Sequence, residues 1–79
     1  MTSAQMRAAR AMLDWSQAKL ADESGVSVET IKRLERMDGA LEATKVATLD
    51  AIRKALIAGG VEFTNGDEPG VKLRAKKKR

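Results

Sequence analysis

The chain has 79 residues, a net charge of +4, and neither cysteine nor histidine. That is the length of one domain burying only about 60% of its unfolded surface, with no means of making disulfides or Cys/His metal sites. No apolar run approaches the roughly 20 residues of a membrane span, the first residues, MTSAQMRAARAM, lack the core of a secretory signal, and the absence of cysteine fits a cytoplasmic location.

Charge is unevenly placed. Lys72, Arg74, Lys76, Lys77, Lys78 and Arg79 hold six of the fifteen basic residues, which leaves nine basic against eleven acidic over residues 1–71, a net of −2. The body is therefore not a broadly basic surface, and generic attraction to a polyanion falls to the tail.

Ser3 to Leu13 is predicted as the first helix, with Ser3 as N-cap and Met6, Ala9 and Leu13 spaced as a buried stripe. Arg10 falls on or beside that stripe, where a charge is costly without a partner; the alternative is that it extends to solvent. Trp15, the only tryptophan, precedes Ser16, a good N-cap, and Leu20 follows four residues later. That is a hydrophobic staple at a helix start. Ser27 repeats the arrangement, with Val26 before it and Ile31 after it. Between the two starts, Gly25 supplies the positive φ of a sharp turn. The small Ala21 lets the two helices approach. Leu20, Val26, Ile31 and Leu34 supply apolar contacts, and Glu29, Lys32, Arg33 and Arg36 fall on the other side of the second helix.

Met37-Asp38-Gly39-Ala40 stops that helix. Leu41 to Ala43 is ambiguous between loop and a short helical turn. Thr44 is the best N-cap for a last helix from about Lys45 to Ala58. Its inner face is Leu49, Ile52 and Leu56, extended backward by Val46, with Arg53 and Lys54 toward the end where the helix dipole favours cations. Gly59-Gly60 ends it. Val61-Glu62-Phe63-Thr64 and Val71-Lys72-Leu73-Arg74 then alternate apolar and polar around a run of turn formers, a β-hairpin over 61–74 with Val61, Phe63, Val71 and Leu73 on one face. Residues 1–74 form one domain; the tail 75–79, AKKKR, has no apolar side and is expected to be disordered.

Ser16-Gln17, Leu20-Ala21, Gly25-Val26-Ser27, Ile31 and Glu35-Arg36 together resemble the Xre/Cro family of phage-repressor-like helix-turn-helix regulators. The closing GVEF strand, glycine-rich turn and GV-basic-L-basic strand are similar to one branch of small Xre-like regulators, so the resemblance reaches about Arg74. Ser24 departs from the Ala or other apolar residue usual there, and Trp15 from the usual Leu. The resemblance implies a mainly α, compact, four- to five-helix, lambda-repressor-like domain with a C-terminal β-hairpin. Its recognition helix, 27–37, would lie in the DNA major groove. It further implies that Arg10 pairs structurally with Glu35 and that Gln17 holds a phosphate, sometimes also touching the recognition helix.

On such a helix the candidates for base reading are Ser27, Val28, Glu29, Lys32 and Arg33. Arg33 suits guanine O6 and N7, Val28 a thymine methyl, and Lys32 a base or a phosphate. Glu29 would accept from a cytosine N4 or pair along the helix with Lys32 or Arg33. Gln17, Arg36, Lys76, Lys77, Lys78 and Arg79 are the candidates for phosphate. One such module covers only about 600–1,000 Å² on DNA, so a homodimer on double-stranded DNA is expected, joined through the last helix and a hairpin whose apolar face otherwise lacks cover. The function expected is a dimeric transcriptional repressor, with no cofactor and no small-molecule effector, since no residues remain for a pocket. The alternative is an antitoxin or adaptor whose hairpin edge docks a partner protein by strand addition. No catalytic constellation appears: without His or Cys an enzyme would need clustered carboxylates or an activated Ser or Lys.

Overall fold

A computed structural model of the chain describes residues 1–37, 45–64 and 70–74. Four helices, α1 (Ser3–Met12), α2 (Gln17–Ser24), α3 (Val28–Arg36) and α4 (Val46–Gly59), precede the strands β1 (Val61–Thr64) and β2 (Gly70–Leu73). The expected turn at 41–43, the Thr44 cap, the hairpin tip at 65–69 and the tail 75–79 lie outside the described residues.

The cap of α1 is Thr2, not Ser3. Thr2 Oγ1 accepts from the Gln5 backbone N–H at 3.1 Å, and Gln5 Oε1 accepts from the Thr2 N–H at 2.9 Å. This reciprocal box needs a Gln or Glu three residues after the cap. Only Thr2 has one, and Ser3 is buried within the first turn. The far end of α1 closes with Asp14 at φ 58°. There the Asp14 N–H donates to Ala11 O at 3.0 Å and the Trp15 N–H to Arg10 O at 2.9 Å, the paired bonds of a Schellman stop.

Helices α2 and α3 begin at their expected caps. Ser16 Oγ accepts from Lys19 N at 3.0 Å and Ser27 Oγ from Thr30 N at 3.2 Å. Gly25, at φ 75°, makes the turn between them. Helix α4 starts at Val46, one residue later than expected, and its N-cap is Lys45 in place of Thr44; Lys45 lends no side-chain bond.

One core holds the helices and the hairpin together. Met6, Leu20, Ile31, Leu34, Ile52, Leu56 and Val61 are fully buried, with Ala9 and Ala55 beside them, and Leu13, Trp15, Leu49, Phe63 and Val71 pack against this cluster. Val46 does not extend the inner face of α4: it is 82% exposed. Helical spacing continues the stripe backward from Leu49, but the core ends at Leu49, and Val46 borders only a shallow cleft with Met1, Asp50 and Arg53. At the other end, a Cβ on Gly59 would lie 2.8 Å from Trp15 Cζ2 and 2.9 Å from Leu13 Cδ1. Any larger residue there would force Trp15 or Leu13 to shift, so glycine lets α4 sit this close to the α1–α2 corner.

The strands pair antiparallel, with Val61 opposite Leu73, Glu62 opposite Lys72, Phe63 opposite Val71 and Thr64 opposite Gly70. The expected second strand is displaced by one residue: Gly70 joins it opposite Thr64, and Arg74 falls just beyond its end. The Arg74 N–H still donates across the hairpin to Gly60 O at 2.8 Å, and its Nη2 donates to Ile57 O at 3.0 Å in the last turn of α4. The hairpin packs on α1 and α4 of its own chain. Val61 is buried and Phe63 and Val71 are partly so, which removes the premise that this face needs another chain for cover; Leu73 alone of the four stays 53% exposed.

Gln5 ties the hairpin to α1. Besides closing the capping box, its Nε2 donates to Gly70 O at 3.0 Å and Thr64 O at 3.3 Å. Gln5→Ala should therefore cost about 1–3 kcal/mol, the usual toll of stranding buried polar groups. A urea titration checks this; wild-type stability would mean that water replaces the amide without loss.

Candidate nucleic-acid interface

Helix α3 divides cleanly into two faces. Ile31 and Leu34 are fully buried, whereas Glu29, Lys32, Arg33 and Arg36 are exposed and Val28 partly so. Among the described residues, none of those four charged side chains takes part in an ion pair, so the intrahelical pairing considered for Glu29 does not form. The cations of α3 are open to an external anion. Ser27 is exposed, but its hydroxyl is partly committed: it accepts from the Thr30 N–H and donates to Thr30 Oγ1 at 3.0 Å. Thr30 thus joins the polar groups at the start of α3. The S-x-x-T spacing is its signal in the sequence.

The position of α3 is set from α1 by two arginines. Arg10 donates from Nε to Glu35 Oε2 and from Nη2 to Glu35 Oε1, both at 2.8 Å, and from Nη1 to Trp15 O at 3.0 Å. The fork fixes both the distance and the plane of the carboxylate. Arg7, one turn earlier on α1, donates from Nη1 to the Glu35 backbone carbonyl at 2.6 Å. It satisfies a carbonyl that the end of α3 leaves without an intrahelical partner, and places a cation where the helix dipole is negative. Sequence reasoning does not single out Arg7; its place one turn before Arg10 is the available clue.

Gln17 stands at the start of α2, and its Nε2 donates to Glu35 Oε1 at 3.0 Å. The same carboxylate thus holds α1, α2 and α3 together. One amide hydrogen and the carbonyl of Gln17 remain for other partners, beside the Gln17 and Ala18 backbone N–H groups, which have no acceptor among the described residues. A helix N-terminus presenting free N–H groups suits a phosphate oxygen. Next to it, Lys19 is 2.9 Å from Glu23, and its Nζ lies 5.9 Å from the centre of the Trp15 ring. The hydrogen bond to Glu23, then that residue's charge, holds the ammonium pKa above its ordinary value.

The structure brings together Gln17, Arg10 and Glu35, and sets Ser27, Val28, Glu29, Lys32, Arg33 and Arg36 along one helix. Lys76, Lys77, Lys78 and Arg79 lie outside the described residues. Among the described residues no helix is long and apolar enough to cross a membrane.

No curated protein is significantly similar to the chain. A helix-turn-helix family model (HTH_3), a DNA-binding regulatory family and not an enzyme family, matches residues 6–56, which take in α1, α2, α3 and most of α4. The buried Leu20, Ile31 and Leu34, the αL turn at Gly25 and the exposed basic face of α3 all fall inside that match. The chain belongs to the Xre/lambda-repressor-like helix-turn-helix family of DNA-binding transcriptional regulators.

Proposed function

We propose that the protein is a cytoplasmic homodimeric repressor that blocks transcription by occupying its operator. The observation that carries this is the exposed face of α3, whose cations have no ion-pair partner among the described residues while its opposite face is locked into the core. On this basis Val28, Glu29, Lys32 and Arg33 read base edges, with Ser27 contributing its remaining lone pair. Gln17 and the N-terminus of α2 hold one phosphate, Arg36 another, and Lys76, Lys77, Lys78 and Arg79 add sequence-independent attraction. The division between positioning and reading follows the order of the elements: α2 meets the backbone and α3 the groove.

Selection of duplexes from a randomised pool by the purified protein tests this. The expected product is a two-fold symmetric site with half-sites about one helical turn apart. A pool that stays random after repeated rounds would sink the proposal. A reporter carrying the selected site across its promoter then tests repression; raised expression in the presence of the protein would reverse its sign.

A further inference from the structure

Glu35 is where three helices meet, and its carboxylate is fully used. Both oxygens face Arg10, and Oε1 also accepts from Gln17. What Glu35 offers Arg7 is its backbone carbonyl alone, 2.6 Å from Nη1. Arg7 is exposed, and among the described residues it makes no other hydrogen bond and no ion pair, so its Nε and Nη2 lack partners there. Closing a helix end takes only one N–H. The planar guanidinium carries further donors, in a fork that suits a phosphate.

The next residue of α3 is a second arginine. The carbonyl that accepts from Arg7 belongs to the peptide bond leading to Arg36. Standard bond lengths therefore put the Arg36 Cα within about 6 Å of Arg7 Nη1. Arg36 is also exposed and without an ion pair among the described residues. Two guanidinium groups so placed repel each other until an anion comes between them. Their place on the molecule gives that anion an identity. Gln17 opens α2, and its 3.0 Å contact with Glu35 brings the free N–H groups of that helix start to the same end of α3. The phosphate proposed for the start of α2 and the one proposed for Arg36 are thus both next to Glu35.

We infer that Arg7 and Arg36 together seat one phosphate of the DNA backbone, beside the phosphate held at the start of α2. Arg7 comes from α1 and Arg36 from α3, so a single anion ties both helices to the duplex. The bond from Arg7 to the Glu35 carbonyl fixes this seat relative to the helix that reads bases. The contact itself reads no base; it positions α3 in the groove. The assignment deepens the function proposed above and rests on it for the presence of a duplex, but most of its test needs no operator.

Arg7→Gln keeps a donor for the Glu35 carbonyl and loses the charge. This variant, Arg36→Gln, the double variant and Arg7→Lys are titrated on the selected operator and on a scrambled duplex at several salt concentrations. Arg7→Gln and Arg36→Gln should each weaken binding to both duplexes about fivefold at low salt, with the specificity ratio unchanged. Arg7→Lys should recover most of the loss. The double variant should lose about 0.9 from the log–log salt slope, the value for one phosphate, whereas a loss of about 1.8 would mean two separate phosphates and overturn the shared seat. Wild-type binding by Arg7→Gln on both duplexes would overturn it too. A role confined to the fold, through Glu35 or through Asp38, which lies outside the described residues, would lower urea stability and leave binding by the folded protein unaltered. If Arg7→Gln fails to fold, the Arg7 Nε–H resonance of the unaltered chain decides. It should shift together with that of Arg36 when duplex is added; a signal unmoved while the duplex binds would sink the seat. A failed operator selection leaves the scrambled-duplex titrations standing. Loss of all duplex binding by the wild type would remove the proposed function and this seat together, whereas unaltered binding by Arg7→Gln removes the seat alone.

Discussion

Arg10→Ala should cost about 3–5 kcal/mol of stability, a large part of what a domain this small possesses. The reason is the environment of Glu35, whose side chain is only 4% exposed against 20% for Arg10. Without Arg10, the carboxylate keeps the Gln17 amide and loses its counter-charge. The reverse change should be milder. After Glu35→Ala, Arg10 retains the Trp15 carbonyl and can reach water along its exposed edge. Arg10→Lys should recover only part of the loss, because an ammonium cannot make the two-pronged contact. Replacing both partners with apolar residues of similar volume should restore much of the stability, since the desolvation cost disappears with the charges. Urea titration of the four variants decides. If Arg10→Ala and Glu35→Ala both match wild type, the pair contributes nothing to the fold.

Arg33→Ala should weaken operator binding by about 1–3 kcal/mol and relax preference at a single base pair, with non-specific binding nearly intact. The side chain is exposed and has no ion-pair partner among the described residues, so the substitution leaves the fold alone. Deleting residues 75–79 should do the opposite. Affinity should fall on every duplex alike, with the specificity ratio unchanged. The log–log salt slope should shrink by about 0.9 for each phosphate that the tail no longer neutralises. Both forms are titrated on operator and scrambled duplex at several salt concentrations. Equal weakening on both duplexes by Arg33→Ala would make Arg33 a phosphate clamp, and rotate the reading face toward Glu29 and Lys32. A tail deletion felt only on the operator would place the tail in a groove.

What is legible in the sequence is local. Ser16, Ser27 and Gly25 act within three or four residues of themselves, and they set the ends of α2 and α3 as expected. The choice between Thr2 and Ser3 is also local, but it turns on the Gln5 side chain, which completes the box for Thr2 alone. Periodicity identifies the inner face of α4 but not where the opposing layer ends, so the stripe runs on to Val46 after the core has stopped. It likewise puts Leu73 on the apolar face without showing that the helices beneath stop short of covering it. The actual roles of Gln5, Arg7 and Arg74 are hidden for a common reason: each donates to backbone carbonyls. A carbonyl acceptor carries no mark in the sequence. The Arg10–Glu35 pair is accessible because a charge on a buried stripe demands a partner, and the family resemblance supplies one.

The Gln5 bridge also bears on the order in which the protein folds. Its bonds to Thr64 and Gly70 span 59 and 65 residues, whereas Arg10 and Glu35 are 25 apart. Closing the longer loop costs about 0.8 kcal/mol more in chain entropy, and the reward is a short hairpin that is marginal alone. Docking of the hairpin is then a late event, after the helices have collapsed around Leu20 and Ile31. Gln5→Ala should accordingly speed unfolding and leave the folding rate almost unchanged, whereas a truncation at Leu34 should slow folding. On this order the lifetime of the native state should be set at the hairpin, far along the chain from the turn that begins the motif.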